Sequence, residues 1–129
     1  MIVKKNGYEF RIGEVETEVD REESHKVTNY NGYGTAVVRF NIEIAEIDEG
    51  FKHEYELVGD VEYSQDGADV SFYDGTNYVN NVTLVSGDLL DREFNDTVAE
   101  FFNENYDLGD FVYDHLSCEE QNDIEELIK

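Results

Sequence analysis

The sequence has little positive charge, a single cysteine, and neither proline nor tryptophan. Only 9 of the 129 residues are Lys or Arg, against 32 Asp and Glu, so the formal net charge is −23. A chain this acidic lacks the basic patch that binds nucleic acid directly, and an anionic membrane surface repels it. The single cysteine, Cys118, excludes an internal disulfide and a thiolate-rich zinc site.

Two further absences concern membranes and targeting. No apolar run approaches the ~18 residues of a transmembrane helix, and the first residues, MIVKKN, lack the apolar stretch of a signal peptide. We therefore expect a cytoplasmic protein. The sequence also has no proline-, glycine- or serine-rich linker, so we expect residues 1–129 to form one domain.

The chain does contain enough apolar side chains for a core. Hydrophobic residues make up 40% of the sequence and aromatic residues 13%, which distinguishes it from an acidic disordered tail. The charge is uneven: residues 1–52 contain 11 acids and 7 bases, whereas residues 53–128 contain 21 acids and a single base, Arg92. A function has to account for this imbalance on a folded domain.

The first two thirds of the chain have the two-residue period of antiparallel strands. Asn6 and Gly7 are a hairpin turn signal between two apolar segments. Two alternating segments follow, with expected inward residues Ala36, Val38, Phe40, Ile42 and Ile44 in the first and Phe51, His53, Tyr55, Leu57, Val61 and Tyr63 in the second.

Turn signals divide the rest of this region. Asp66 and Gly67 predict a type I′ turn that pairs Tyr63 with Val70 and Val61 with Phe72. We expect a further strand over residues 78–85. The polar residues 20–34, rich in Gly and Asn, predict a long mobile loop.

The last third has a helical period. The apolar residues Leu90, Phe94, Val98, Phe101 and Phe102 share one face of a predicted helix, with Ser86 or Asp88 as its N-cap. Ser117 and Glu120 match a capping box at the start of a second helix. The sequence therefore predicts an α+β fold, an antiparallel meander sheet of about five to seven strands with one longer and one short C-terminal helix packed on one face.

Three acidic rows lie on these elements. The first row is Glu14, Glu16, Glu18 and Asp20, the second row is Glu54, Glu56, Asp60 and Glu62, and the third row, on the longer helix, is Glu93, Asp96, Glu100 and Glu104. Carboxylates on one face of a strand repeat every ~6.6 Å, a spacing comparable to that of successive phosphates along a nucleic-acid strand, although a duplex has a higher charge density, one charge per ~1.7 Å of its axis. We expect Glu43 to lie across from Glu54 or Glu56.

Such rows are costly, which favours a functional surface over a merely solvated one. Like charges opposed on a sheet, or four residues apart on a helix, destabilise a fold by a few tenths to ~1 kcal/mol each. Solubility needs a net charge of only about 2 to 8. Adaptation to high salt is a rival explanation, but the 11 Asn and many Ile, Tyr and Phe are more typical of AT-rich coding than of a halophile.

In size and charge balance the chain resembles the DNA-mimic inhibitors of bacteriophages and mobile elements. Those inhibitors occupy the basic groove of restriction enzymes, CRISPR effectors or other defence proteins, so the resemblance implies a non-enzymatic inhibitor in the bacterial cytoplasm. It rests on composition and includes no aligned motif. From the residues themselves, we predict that the three rows and Glu43 make the contact, with Tyr30 and Tyr33 as aromatic anchors.

The implied partner is a basic nucleic-acid-binding protein, not nucleic acid or a membrane. Whether the chain also forms a homodimer stays open at this point. An immunity protein that neutralises a basic nuclease toxin is an alternative, because the same electrostatics would apply.

The sequence offers little catalytic or metal chemistry, and we predict no catalytic residue, no metal site and no cofactor. His53 is expected to be a paired core histidine, and Cys118 a residue at a helix start. Asn103, Asn105, Asp107 and Asp114 follow the 1-3-5-12 spacing of an EF-hand loop, but Leu108 stands where that loop needs glycine. An acidic calcium-binding or structural module is therefore a further alternative.

Overall fold

A computed structural model describes residues 2–25, 34–47, 53–65, 67–72, 76–80, 82–86, 92–105 and 107–128. These residues form an antiparallel sheet and three helices, with strands β1 (Ile2–Lys5), β2 (Tyr8–His25), β3 (Thr35–Glu46), β4 (Glu54–Ser64), β5 (Gly67–Phe72) and β6 (Thr83–Ser86), and helices α1 (Arg92–Asn105), α2 (Leu108–Asp114) and α3 (Cys118–Ile128). Strands β1 to β5 form a meander, and β6 pairs with β4 beyond the end of β5. The predicted α+β meander is confirmed, with α2 as an additional helix.

The β1–β2 hairpin forms where the sequence predicts it. Lys5 pairs with Tyr8, and the two residues between them, Asn6 and Gly7, have φ angles of 53° and 81°. A type I′ turn requires positive φ at both positions, which Asn tolerates and Gly adopts freely.

The core lies between one face of the sheet and the helices. The predicted inward residues of β3 are buried, as are Tyr55, Leu57, Val61 and Tyr63 of β4. Phe94 of α1 reaches this layer, with its ring centroid 5.9 Å from that of Phe10 and 4.8 Å from that of Tyr55. We call the helix-covered face of the sheet the inner face, and its opposite the outer face. Phe51 lies outside the described residues.

A β-bulge in β2 keeps its apolar residues on the inner face. Ile12 pairs with Ile44 and Val15 pairs with Ile42, so Gly13 and Glu14 together stand opposite one residue of β3. The apolar positions change from even numbers, ending at Ile12, to odd numbers, beginning at Val15. One extra residue in the strand accommodates this change, because a bulge reverses the alternation locally.

The register between β4 and β5 differs from the prediction. Val61 pairs with Val70, and Ser64 pairs with Gly67, so the turn comes one residue earlier than the predicted Asp66 and Gly67. Phe72 consequently lies opposite Gly59, where a Cβ would come within 3.1 Å of the Phe72 ring. Both registers place the same residues on the inner face, so alternation alone does not discriminate between them.

Two other strand predictions also need correction. The predicted mobile loop over residues 20–34 is wrong for residues 20–25, which extend β2, while residues 26–33 lie outside the described part of the chain. The predicted strand over residues 78–85 is wrong for its first part, because residues 76–80 are irregular and β6 begins only at Thr83. Ser86 ends β6 and so is not the N-cap of α1; Asp88 and Leu90 are not among the described residues.

Side-chain amides of α1 hold the irregular segment before β6. Asn95 accepts a hydrogen bond from the Val82 N–H at 3.0 Å and donates one to the Val82 carbonyl at 2.8 Å. Asn103 does the same with Val79, at 2.8 Å for both bonds. These amides satisfy backbone groups that a neighbouring strand would otherwise pair. The segment therefore needs no sheet partner at these two residues.

Helices α2 and α3 both begin with a capping side chain. Asp107 accepts hydrogen bonds from the N–H groups of Gly109 and Asp110 at the start of α2. At the start of α3, the Ser117 hydroxyl and the Glu120 carboxylate each bond the other residue's N–H at 3.1 Å, which confirms the predicted capping box. Among the described helices, none is both long and apolar enough to cross a membrane.

Candidate interaction surface

The first two acidic rows lie together on the outer face of the sheet. The carboxylates on this face include Glu9, Glu14, Glu16, Glu18, Asp20, Glu43, Glu54, Glu56, Asp60, Glu62 and, from β5, Asp69. Because β3 separates β2 from β4, the two rows run about 10 Å apart, twice the spacing between neighbouring strands. Of the bases in β2–β4, Arg11 and Arg39 share this face, whereas Arg21 pairs with Asp123 of α3 at 2.8 Å.

Arg39 links the two rows at one end of the surface. Its guanidinium lies 2.8 Å from a carboxylate oxygen of Asp20 in the first row and 3.5 Å from one of Asp60 in the second row. Glu18 stands directly opposite Arg39 on β2. One cation thus serves three neighbouring carboxylates, so this end of the face keeps a net negative charge.

At the other end, carboxylates converge without a paired cation in the described part of the chain. Oxygens of Glu14, Glu16 and Glu43 lie within 4.8 Å of one another, and all three residues are exposed. Glu43 stands directly opposite Glu56, as predicted, and the Asn41 amide donates to Glu56 at 2.9 Å. Like charges placed opposite each other on a sheet are destabilising by a few tenths to ~1 kcal/mol.

A shallow surface cavity lies beside this carboxylate cluster. It has a volume of about 150 Å³, and its lining includes Glu43, Glu54 and Glu56 together with Arg11 and the exposed Val85 of β6. With one oxygen from each, the carboxylates of Glu14, Glu16 and Glu43 would supply three of the roughly six to eight oxygens that calcium takes. The arrangement is chemically better suited to the multiple N–H donors of Arg or Lys side chains.

The third acidic row faces a different part of the molecule. Glu93, Asp96, Glu100 and Glu104 are exposed on α1, next to the β1–β2 hairpin. Lys5 lies 3.6 Å from Glu100 and 3.4 Å from Glu104, and the Tyr8 hydroxyl donates to Glu93 at 3.1 Å. This row is therefore partly neutralised within the chain, and it is not continuous with the other two.

The remaining predicted residues are two tyrosines and a histidine that do not belong to the acidic rows. Tyr30 and Tyr33 fall outside the described residues. His53 is half-buried with its Nδ1 atom 2.8 Å from a carboxylate oxygen of Glu46, which fits the expected paired core histidine. Glu46 is a buried acid that the predicted site does not include. The sequence contains a signal for it, because Glu46 continues the inward positions of β3 and lies across the following turn from His53.

The EF-hand spacing does not form a calcium loop. Residues 108–114, which would be positions six to twelve of that loop, are helical. Asp107 caps α2, and the Asn103 amide is bonded to the Val79 backbone, so these side chains do not converge on one point.

The hydroxyl of Tyr63 lies next to α2, close to several acidic side chains. Burial raises the pKa of the Tyr63 hydroxyl well above its ordinary value, and the charges of Asp110 and Asp107 raise it further. That hydroxyl donates to the Gly109 carbonyl at 2.7 Å. Both observations describe a structural hydrogen bond between β4 and α2, and neither indicates an acid or base that could act on a substrate.

Asp69 is an outer-face acid that none of the predicted rows includes. It lies on β5 directly opposite Glu62, and the acid at every second position of the neighbouring strand was the signal that could have found it. Comparison of the chain with known protein families, with curated proteins and with solved structures finds no match.

Proposed function

We propose that this protein is a non-enzymatic acidic inhibitor, encoded by a bacteriophage or mobile element, that blocks the basic nucleic-acid-binding groove of a bacterial defence protein. The target would be a restriction enzyme, a CRISPR effector or a similar protein in the bacterial cytoplasm. The observation that carries the proposal is the outer face, where the first two rows and Glu43 lie on one sheet, with Arg11, Arg39 and, on β1, Lys4 as bases on the same face.

The energetics support a functional reading of this face. Surface carboxylates repel one another at a cost to stability, and the excess gives little further solubility. A partner that supplies Lys and Arg would relieve this repulsion on binding. Complementary charge would also speed association, and salt would weaken it because exposed charges are screened.

The geometry also supports inhibition by occupancy. Backbone hydrogen bonds of the sheet hold the carboxylates at regular spacings, so the protein loses little conformational entropy when a groove closes on it. The partner's basic residues would then contact carboxylates in place of phosphates, and nucleic acid could not enter the same groove. No bond of the partner needs to be made or broken.

The test begins with a lysate from bacteria that carry restriction and CRISPR systems. The immobilised protein is exposed to the lysate at ~50 mM salt, and bound proteins are released by raising the salt above ~200 mM. Each released protein is purified, and its binding to DNA is measured with and without this chain. We expect at least one defence protein to lose DNA binding, with an affinity for the chain that falls about tenfold or more over this salt range.

Matched variants separate the outer face from net charge. Glu14→Gln, Glu16→Gln and Glu18→Gln together remove three outer-face charges, whereas Asp114→Asn, Glu119→Gln and Glu126→Gln remove three exposed charges on α2 and α3. We expect only the first set to weaken inhibition strongly. The proposal is wrong if no salt-released protein loses DNA binding, or if both sets have the same effect. An immunity protein would instead bind a single nuclease toxin and leave the defence proteins active.

A further inference from the structure

Strand β2 has an open edge along most of its length. β1 pairs with β2 from Tyr8 to Arg11, whereas β3 pairs with its other edge as far as His25. In the part of the chain that the structure describes, no strand lies beside residues 13–20 on the side away from β3. At about 3.3 Å per residue this open edge is about 26 Å long, which is enough for a typical strand of about five or six residues.

The register with β3 shows which backbone groups face the open edge. The Ile47 N–H bonds the Glu9 carbonyl at 2.8 Å, so the odd-numbered residues of β3 bond β2. Within residues 16–20 of β2, the acids of the first row stand opposite odd-numbered residues of β3 and therefore bond that strand. Thr17 and Val19 stand opposite even-numbered residues, so their N–H and C=O groups point to the open edge.

The inward side chains along this edge are incompletely covered. Val15 and Val19 are half-buried, whereas the inward residues of β3 beside them are buried. On the same side, Glu120 of α3 accepts a hydrogen bond from the Thr17 hydroxyl at 3.3 Å, and Leu127, two turns further along that face of α3, is half-buried. An apolar side chain on an additional strand would extend this layer.

The outward side chains along the edge are the carboxylates of the first row, and they determine which strand can be added. Two copies of β2 paired edge to edge would bring their first rows about 5 Å apart, where like charges destabilise a sheet. Charge of one sign on an edge strand therefore acts against pairing with a second copy of this chain. A strand with Lys or Arg on its outer face would instead place each base beside a carboxylate.

We infer that the open edge of β2 binds an extended segment of a partner protein in which basic and apolar residues alternate. The basic side chains would lie beside Glu16 and Glu18, and the apolar side chains beside Val15 and Val19. The backbone of the segment would bond the N–H and C=O groups of Thr17 and Val19, as a strand added to a sheet edge does. The inference goes beyond the proposed function, because the partner is recognised by its backbone and its alternation as well as by its charge.

The probe is a synthetic peptide of about eight residues in which Lys and Val alternate, blocked at both ends and titrated into the full chain at ~50 mM salt. Two control peptides have the same sequence, one with a methyl group on the backbone nitrogen of every Lys and the other on that of every Val. Each methylation removes the N–H donors along one edge of the extended peptide and leaves its charge unchanged. We expect one methylated peptide to bind like the parent and the other to bind at least about tenfold more weakly.

Amide hydrogen exchange locates the bound peptide on the chain. When the peptide is bound, exchange at the Thr17 and Val19 N–H groups should slow by about tenfold or more, because these groups become hydrogen-bonded. Exchange at Glu16 and Glu18 should change little, since their N–H groups already bond β3. A peptide held by charge alone would not produce this alternation.

A pair of variants tests the contribution of the carboxylates. Glu16→Gln with Glu18→Gln removes two charges beside the edge, whereas Asp96→Asn with Glu100→Gln removes two exposed charges on α1 as a matched control. The edge variant should bind the peptide about tenfold more weakly, because two charge pairs at close range are lost. The control should bind within about twofold, because charges outside a contact are screened over about 10 Å.

The inference is wrong if the two methylated peptides bind equally, if exchange at Thr17 and Val19 does not slow, or if the two variants bind alike. It is also wrong if the chain alone is a dimer in which both N–H groups are already protected, since a second copy would then occupy the edge. In each case the proposed function stands if a salt-released defence protein still loses DNA binding. Alternating protection by the peptide, with no defence protein released, would support the inference and contradict the proposed function.

Discussion

Replacing Arg39 by Gln should change stability and binding in opposite directions. Arg39 pairs with Asp20 at 2.8 Å and with Asp60 at 3.5 Å, and its side chain is 54% exposed. Exposed ion pairs contribute about 0.2–1 kcal/mol each, so Arg39→Gln should lower the free energy of unfolding by about 1 kcal/mol. For a domain of this size that corresponds to a fall in Tm of roughly 3–6 °C.

The same substitution should strengthen binding to a basic partner. A unit charge about 7 Å from a partner cation contributes ~0.6 kcal/mol in water-like dielectric, or roughly threefold in affinity per partner charge at that distance. Removing the positive charge of Arg39 should therefore tighten the complex about threefold, even though the free protein is less stable. A surface whose function did not depend on charge would show the loss in Tm alone.

Two other arginines provide controls for these two effects. Arg11 shares the outer face but has no ion pair within the described residues, so Arg11→Gln should tighten binding and leave Tm nearly unchanged. Arg21 pairs with Asp123 of α3, so Arg21→Gln should lower Tm without tightening binding. Thermal unfolding and calorimetric titration with the partner measure both quantities. The reasoning fails if Arg39→Gln weakens binding, or if Arg21→Gln strengthens it as much as Arg11→Gln.

Three further predictions concern the scaffold and metal binding. Asn95 is 3% exposed, and the substitution Asn95→Ala would leave the Val82 N–H and carbonyl unpaired in the interior. Urea unfolding should show that the free energy of unfolding falls by about 2–4 kcal/mol. Asn103→Ala, at an exposed position, should lower it by less. Because the pKa of Tyr63 is raised in the folded protein, its contribution to stability is complete below the ordinary value of 10.0 and is lost as pH rises above it. Tyr63→Phe should reduce this loss of stability at alkaline pH. If the dependence of stability on pH were unchanged in the variant, the buried hydrogen bond of Tyr63 would not be its cause. Calorimetric titration with calcium should show no saturable binding tighter than ~10 μM, and a tighter site would favour the calcium-module alternative.

The features that could be predicted from sequence are those encoded by local periods. The hairpin at Asn6 and Gly7, the capping box at Ser117 and the apolar face of α1 each depend on residues a few positions apart. The two rows on the sheet follow from alternation alone. The bulge was also visible in principle, as the change from even to odd apolar positions between Ile12 and Val15.

What the sequence could not decide depends on contacts between distant residues. The β4–β5 register was missed because two pairings keep the same inward residues, and the fit of Phe72 over Gly59 decides between them. The sequence predicts a strand before β6, and it contains no local signal against one, because Asn95 and Asn103, which bond the backbone of that segment, lie 13 and 24 residues away. The separation of the third row from the other two follows from where α1 packs, and no local pattern contains that information.

The bulge at Gly13 and Glu14 determines where the acidic surface can tolerate a change in chain length. Deleting Gly13 would leave Ile12 and Val15 opposite Ile44 and Ile42 in an uninterrupted ladder, with every carboxylate of the first row still facing outward. Deleting Thr17 would instead turn Glu18 and Asp20 towards the core. A one-residue deletion is therefore expected to be tolerated at the bulge, whereas a deletion at Thr17 would bury two carboxylates and destabilise the fold.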